Sequence, residues 1–264
     1  MYLTEYHIHS ELSFDGQAPL REMAEHAMRA GVRELCITDH CDTIDENANR
    51  VYDYDWAPAL KQFKETRAEL EGKITLKLGL EYGMGHVDPA MSDRILALPE
   101  LDFVIGSVHN LSLERGNGFD FYFSPFNTEA DCRFVLDDYF ESLEKVARSP
   151  YYDVLGHIIY PLRYMKGLVT VEPWLDCVTQ IMRIAVEKGK GIELNTNRGR
   201  TLEEWRPVLE RYKAIGGEII TVGSDAHDPL HAGLGIREGY ALLREMGFRY
   251  IAVYEKHKPE LKLI

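Results

Sequence analysis

Thr4-Glu5-Tyr6-His7-Ile8-His9 opens the chain as a strand-like run that finishes in two histidines one residue apart. On a strand, residues two apart project to the same face, so both imidazoles can address one ion. The pattern recurs along the chain. Thr38-Asp39-His40, Gly79-Leu80-Glu81, Ser107-Val108-His109, Gly156-His157 and Ser224-Asp225-Ala226-His227 each stand where a short apolar run finishes. In the last of them, Asp225 and His227 repeat the period-two spacing with a carboxylate in place of one imidazole. A soluble domain seldom sets most of its histidines at the ends of apolar runs unless something binds them. Imidazole and carboxylate ligands suit Zn, Mn or Fe. The set is too large for one tetrahedral ion, so two or three divalent ions are expected, and with them hydrolysis by a metal-activated water.

Helix-like stretches lie between these segments. Amphipathic spacing predicts helices over residues 19–30, 56–71, 88–98, 129–148, 172–188, 202–215 and 239–246. Seven strands are expected, starting near residues 4, 34, 75, 103, 153, 191 and 218. Alternating strands and helices imply a parallel sheet with helical crossovers. Six of the seven strands end in a candidate ligand, and the other ends in Glu193-Leu194-Asn195. An open sheet concentrates its site at one switch point. Functional residues at the ends of many strands instead mark a closed α/β barrel.

Without repeats, low-complexity tracts or a linker, residues 1–264 read as a single domain. The longest irregular stretches, residues 39–55 and 110–128, both follow ligand-bearing strands, where long loops are usually functional. Residues 249–264 are expected to form two short β-segments around Lys256-His257-Lys258-Pro259, packed on the outside of the domain.

Composition limits the function classes. Of 264 residues, 45% are hydrophobic and 28% charged, as in an ordinary folded domain. A formal charge of -13 argues against a nucleic-acid partner, although bound cations would offset some of it locally. Cys36, Cys41, Cys132 and Cys177 form no CxxC pair, so reduced thiols are expected. Cys41 follows His40 directly and so should point away from it. There is neither a signal-like N-terminus nor a run of membrane-spanning length. The expectation is a soluble cytoplasmic protein with no membrane partner, its oligomeric state open.

Weighed singly, some candidates are weak. Asp15, beside Gly16, reads as a turn residue. Glu81 could bridge two ions, because a carboxylate has two oxygens. His26 reads as a helix-surface residue and His257 as part of the tail turn, whereas His86 and His231 are candidates for a substrate pocket.

As an ordered set, HxH, TDH, GxE, SVH, GH and SDAH resemble the PHP (polymerase and histidinol phosphatase) superfamily over essentially the whole chain. The resemblance implies a distorted (β/α)7 TIM-like barrel. It also implies three ions: one held by His7, His9, Glu81 and Asp225, a second sharing Glu81 with His109 and His157, and a third held by Asp15, His40 and His227. In some relatives the position matched by Asp15 is histidine, which implies a weaker third site here. Within the superfamily the chain is most similar to the stand-alone histidinol-phosphate phosphatases. Its length fits, Ser107-Val108-His109 opens a long loop containing Gly118-Phe119-Asp120, and His257-Lys258-Pro259 matches their closing strand pair. The implied activity is hydrolysis of L-histidinol phosphate to L-histidinol and phosphate in histidine biosynthesis.

Such a reaction needs cations for the phosphate oxygens and a proton for the leaving alkoxide. Arg163 and Arg198 follow ligand-bearing or polar strand ends and carry the bidentate geometry phosphate favours, with Arg200 as a substitute for Arg198. Asp225 or His227 could donate the proton if not fully committed to metal, and a metal-bound water is an equally good candidate. Asp42, Asp45, Glu114, Tyr160 and Tyr164 are available for the amino-imidazole end. Two other readings remain: a phosphoesterase acting on nucleotides or other small esters, and a non-catalytic metal-binding partner subunit. A degraded, non-catalytic site would lack ligands, and all nine expected positions are filled.

Overall fold

Short apolar strands alternate with amphipathic helices throughout the computed structural model, which describes residues 1–200 and 202–264. The strands are β1 (Leu3–Glu5), β2 (Val32–Ile37), β3 (His40–Asp42), β4 (Thr75–Gly83), β5 (Phe103–Ser107), β6 (Val154–Leu155), β7 (Gly191–Asn195), β8 (Ile220–Gly223), β9 (Tyr250–Glu255) and β10 (Lys258–Leu263). The helices are α1 (Leu20–Arg29), α2 (Trp56–Glu69), α3 (Pro89–Ile95), α4 (Leu113–Gly116), α5 (Glu129–Arg148), α6 (Leu175–Glu187), α7 (Arg206–Ala214) and α8 (Ile236–Glu245).

The sheet runs β1-β2-β4-β5-β6-β7-β8, with every neighbouring pair parallel. Strand β3 resumes the course of β2 beyond Thr38-Asp39 and pairs with β4, placing His40 opposite Glu81. The sheet then closes on itself. Tyr6 N–H donates to Val222 O at 3.0 Å, Asp225 N–H donates to His7 O at 2.8 Å, and Ile8 forms a parallel bridge with Ala226. This is the seven-staved barrel that the strand count and the resemblance implied. Its closing seam joins the two segments with period-two ligand spacing.

The longest helix shows why these segments are helical. Thr128 and Asp131 form a reciprocal capping box at the start of α5. Leu136, Tyr139, Phe140, Leu143 and Ala147 recur at helical spacing and are buried on its inner face. Some ends differ from expectation. The stretches 172–188 and 202–215 each begin with a separate 3-10 turn, Glu172–Trp174 and Glu203–Trp205, before α6 and α7. Helix α8 starts at Ile236 rather than at residue 239, because Gly235 at φ 77 turns the chain into it.

The C-terminal hairpin departs most from expectation. Lys256 and His257, at φ 50 and 62, make the tight turn between β9 and β10. Ile251, Ala252, Val253 and Tyr254 are buried, so β9 does not lie on the outside. Tyr254 N–H donates to Tyr6 Oη at 2.8 Å, its ring packs 4.8 Å from Phe103, and His257 N–H donates to Asp102 O at 2.8 Å. Asp102 and Phe103 lie at the start of β5, so β9 closes the N-terminal end of the barrel. The apolar run Tyr250 to Tyr254 is what allows burial on both faces. Among the described residues, no helix is long and apolar enough to cross a membrane.

Candidate active site

At the opposite, C-terminal end of the barrel the strand ends converge on Glu81, which is fully buried. Its Oε2 lies 3.0 Å from His7 Nε2, 3.3 Å from His9 Nε2 and 3.2 Å from His40 Nδ1. Its Oε1 lies 2.8 Å from His157 Nε2 and 3.1 Å from His109 Nε2. Each carboxylate oxygen therefore serves a different group of imidazoles, as expected of a bridging ligand. Asp225 Oδ1 faces His7 Nε2 at 3.5 Å and His9 Nε2 at 3.6 Å. Asp15 Oδ2 lies 3.1 Å from His227 Nε2, and its Oδ1 lies 3.8 Å from His40 Nε2. All nine sequence-predicted positions thus meet in one place. The turn carrying Asp15 reaches over the others, leaving that side chain 41% exposed.

Do these residues fit divalent ions? His7 Nε2, His9 Nε2, His40 Nδ1, Glu81 Oε2 and His227 Nε2 are buried atoms without a hydrogen-bond partner among the described residues, although other polar atoms lie close by. Buried polar atoms are rarely left so. Their convergence suits ligands aimed at shared ions, and His7-His9-Glu81 and Glu81-His109-His157 are two triads compact enough to hold one. His9, His40 and His227 form a third.

Charge supports the fit. Burial, joined by the charge of His227, pushes His9 down to about 4, and burial pushes His40 down to about 3. Both are therefore neutral at ordinary pH, as metal-binding imidazoles must be. Burial alone would raise the Glu81 carboxyl, but the imidazoles of His7, His109 and His40 hold it well below the usual range. Burial likewise opposes ionisation of Asp225, yet His7 and Arg163 keep it well below the usual range.

Other side chains set the orientation of this group. Glu193 Oε1 lies 2.7 Å from His7 Nδ1, and Asp42 Oδ1 lies 2.9 Å from His109 Nδ1. Asp39 instead shapes the backbone. It accepts from Ser10 N–H and from the hydroxyls of Ser10 and Ser13, fixing the turn that follows the HxH segment. Asp225 takes a left-handed conformation at φ 58, an uncommon one for a non-glycine residue. Arg163 donates to Asp225 Oδ2 at 2.7 Å and to Asn195 Oδ1 at 2.5 Å, with its guanidinium 4.8 Å over the Tyr160 ring. Two of its donors are thus engaged within the protein.

A cavity of about 800 Å³ opens above the cluster. Arg163, Arg198 and Arg200 line it, as do Tyr160 and Tyr164. Arg198 is left-handed at φ 60, with a buried Nε that has no partner among the described residues. Asp42 lines the cavity, but Asp45, Glu114, His86 and His231 do not. His231 instead bonds Asp228, and His257 bonds Asp153. The sequence reading missed the parts played by Glu193 and Asn195. The available signal was two polar residues, two apart, in the otherwise apolar β7.

The chain belongs to the PHP domain family, whose model matches residues 5–197. It is 27% identical to the histidinol-phosphatase of Lactococcus lactis subsp. lactis, with 98% of each chain covered. It is 30% identical to a probable histidinol-phosphatase of Deinococcus radiodurans, over 97% of this chain and 99% of that one. The crystal structure of histidinol phosphate phosphatase from Lactococcus lactis, complexed with Zn, L-histidinol and phosphate, superposes with a TM-score of 0.85. That match has 25% identity and covers 98% of each chain.

Proposed function

We propose that the chain is a metal-dependent phosphatase that hydrolyses L-histidinol phosphate to L-histidinol and phosphate, as a step of histidine biosynthesis. The observation that carries this reading is the division of the two Glu81 oxygens between two groups of imidazoles on the floor of the cavity. Two full-length relatives, one named a histidinol-phosphatase and the other a probable histidinol-phosphatase, support the substrate. Zn in the Lactococcus structure supports the metal class. The same donor set accepts Mn and Fe.

His7, His9, Glu81 and Asp225 would hold one ion, Glu81, His109 and His157 a second, and Asp15, His40 and His227 a third. The half-exposed Asp15 makes the third the most exchangeable. When bound, such ions acidify a water towards neutral pH and neutralise phosphate oxygens.

The protein's own groups do the rest. Arg198 and Arg200 line the cavity and carry the planar donor geometry that phosphate favours. Arg163 fixes Asp225 and presents its outer edge to the same space. Asp225 is held ionised and has no proton to give, and His227, on the cavity wall, can protonate the leaving alkoxide only when it is not holding the third ion. Aromatic Tyr160 and Tyr164 and acidic Asp42 offer an apolar and a negative surface to a cationic amino-imidazole.

The test is kcat/KM for histidinol phosphate beside a panel of other phosphomonoesters and nucleotides. A strong preference for histidinol phosphate is expected. Equal or greater activity on nucleotides would discard the substrate while keeping the site.

A further inference from the structure

Strand β7 ends in no predicted metal ligand, yet it places Glu193 at the centre of the site with no exposed surface. All its bonds go to site residues. Oε1 lies 2.7 Å from His7 Nδ1 and accepts from Asn195 Nδ2 at 3.1 Å, while Oε2 accepts from the His157 backbone N–H at 2.8 Å. Glu193 therefore joins one histidine from each of two ligand groups. The approach is built into the backbone as well. A Cβ on Gly223 of β8 would stand 2.2 Å from His7 Cβ and 2.6 Å from Glu193 Oε1, so only glycine leaves room for the pair.

We propose that Glu193 is a positioning residue: by accepting from His7 Nδ1–H it turns the ring so that Nε2 is the metal-binding atom, and by holding His157 N–H it fixes the spacing between two ions. The proposal rests on the metal-centre reading above. Its chemistry is specific. An ionised carboxylate only accepts hydrogen bonds, so it can satisfy both His7 Nδ1–H and His157 N–H. A glutamine of the same shape cannot. With its amide oxygen towards His157, its NH2 faces His7 Nδ1, which must then accept and carry its proton on Nε2, where the lone pair is needed. With the amide reversed, two donors meet at His157 in a buried site. Partners of this outer kind typically change metal affinity by about 10- to 100-fold.

The test compares the full-length protein with Glu193→Gln, using Zn(II) competition against a chelator and ¹⁵N chemical shifts of His7 in the Zn-loaded protein. The expected result is Nδ1 protonated and Nε2 metal-bound in the parent, with at least one Zn bound about 10- to 100-fold more weakly in E193Q. Unchanged Zn affinity in E193Q, or Zn on Nδ1 of His7 in the parent, would overturn the proposal. If E193Q does not fold, the ring assignment in the parent decides alone. A parent that takes up no divalent ion would overturn the metal-centre reading and this proposal with it. A parent that loads normally beside an equally tight E193Q overturns only the role of Glu193.

Discussion

Glu81 and Asp225 are charged groups inside a barrel, and they stay ionised because imidazoles and a guanidinium surround them. Residues at this level should act through the metals or through one another. His9→Ala and Asp225→Ala are expected to abolish turnover, with metal content read beside the rate; near-normal activity in metal-depleted His9→Ala would contradict the mechanism. Arg163 was expected mainly to bind phosphate, and its bonds to Asp225 and Asn195 give it a second role. Arg163→Ala should therefore lower kcat as well as raise KM. Removing one preorganised charged donor from an active site costs on the order of 10² or more in rate, and a loss of that size in kcat/KM is expected. A change in KM alone would show that the Asp225 contact is dispensable. Burial opposes the charged form of His7 and His109, but Glu193 and Glu81 for the one, and Asp42 and Glu81 for the other, raise both above the usual histidine value. In the metal-free protein these rings keep their protons past pH 6.5, and an arriving ion must expel them. Calorimetry in buffers of different ionisation enthalpy should show proton release on loading, with affinity rising as pH rises. Uptake independent of pH would contradict this.

Among the elements, the strand ends were the most legible part. Period-two spacing in His7-Ile8-His9 and Asp225-Ala226-His227 marks one face directly, and the barrel seam joins just these two segments. The ends of helices were harder to read. The 3-10 turns before α6 and α7 carry the same apolar spacing as the helices they precede, and the start of α8 depends on a glycine conformation. The position of β9 was not legible, because an apolar five-residue run suits a buried plug as well as a surface hairpin. The role of Glu193 was not legible, because the polar strand end Glu193-Leu194-Asn195 does not announce its partners on other strands. The hairpin gives its own prediction. His257 Nδ1 bonds the buried Asp153 at 2.8 Å, far from the catalytic cluster. His257→Ala should cost about 1–3 kcal/mol of stability, read by denaturant unfolding, and leave kcat/KM unchanged. Loss of activity without loss of stability would mean that the lower end of the barrel communicates with the site.

For the molecule as a whole, seven parallel strands gather ligands that lie as far apart in sequence as His7 and His227. Composition could not show this convergence, but the ordered set of motifs could, because each closes a successive strand. The unpartnered buried ligand atoms of the cluster fit divalent cations, which would bind the folded chain and not the unfolded one. An ion present at 100 times its Kd adds about 2.7 kcal/mol. Chelation should therefore lower Tm by on the order of 10 °C, and Zn or Mn should restore it. An unchanged Tm would mean that the cluster binds no ion tightly. The central claim is that bound metal at this cluster makes the chain a histidinol-phosphate phosphatase. It is tested most directly by measuring phosphate release from histidinol phosphate before chelation, after it, and after adding back Zn, Mn or Fe. Activity that disappears with the metal and returns with it is the predicted result; full activity in verified metal-free protein, or none in fully loaded protein, would contradict the claim.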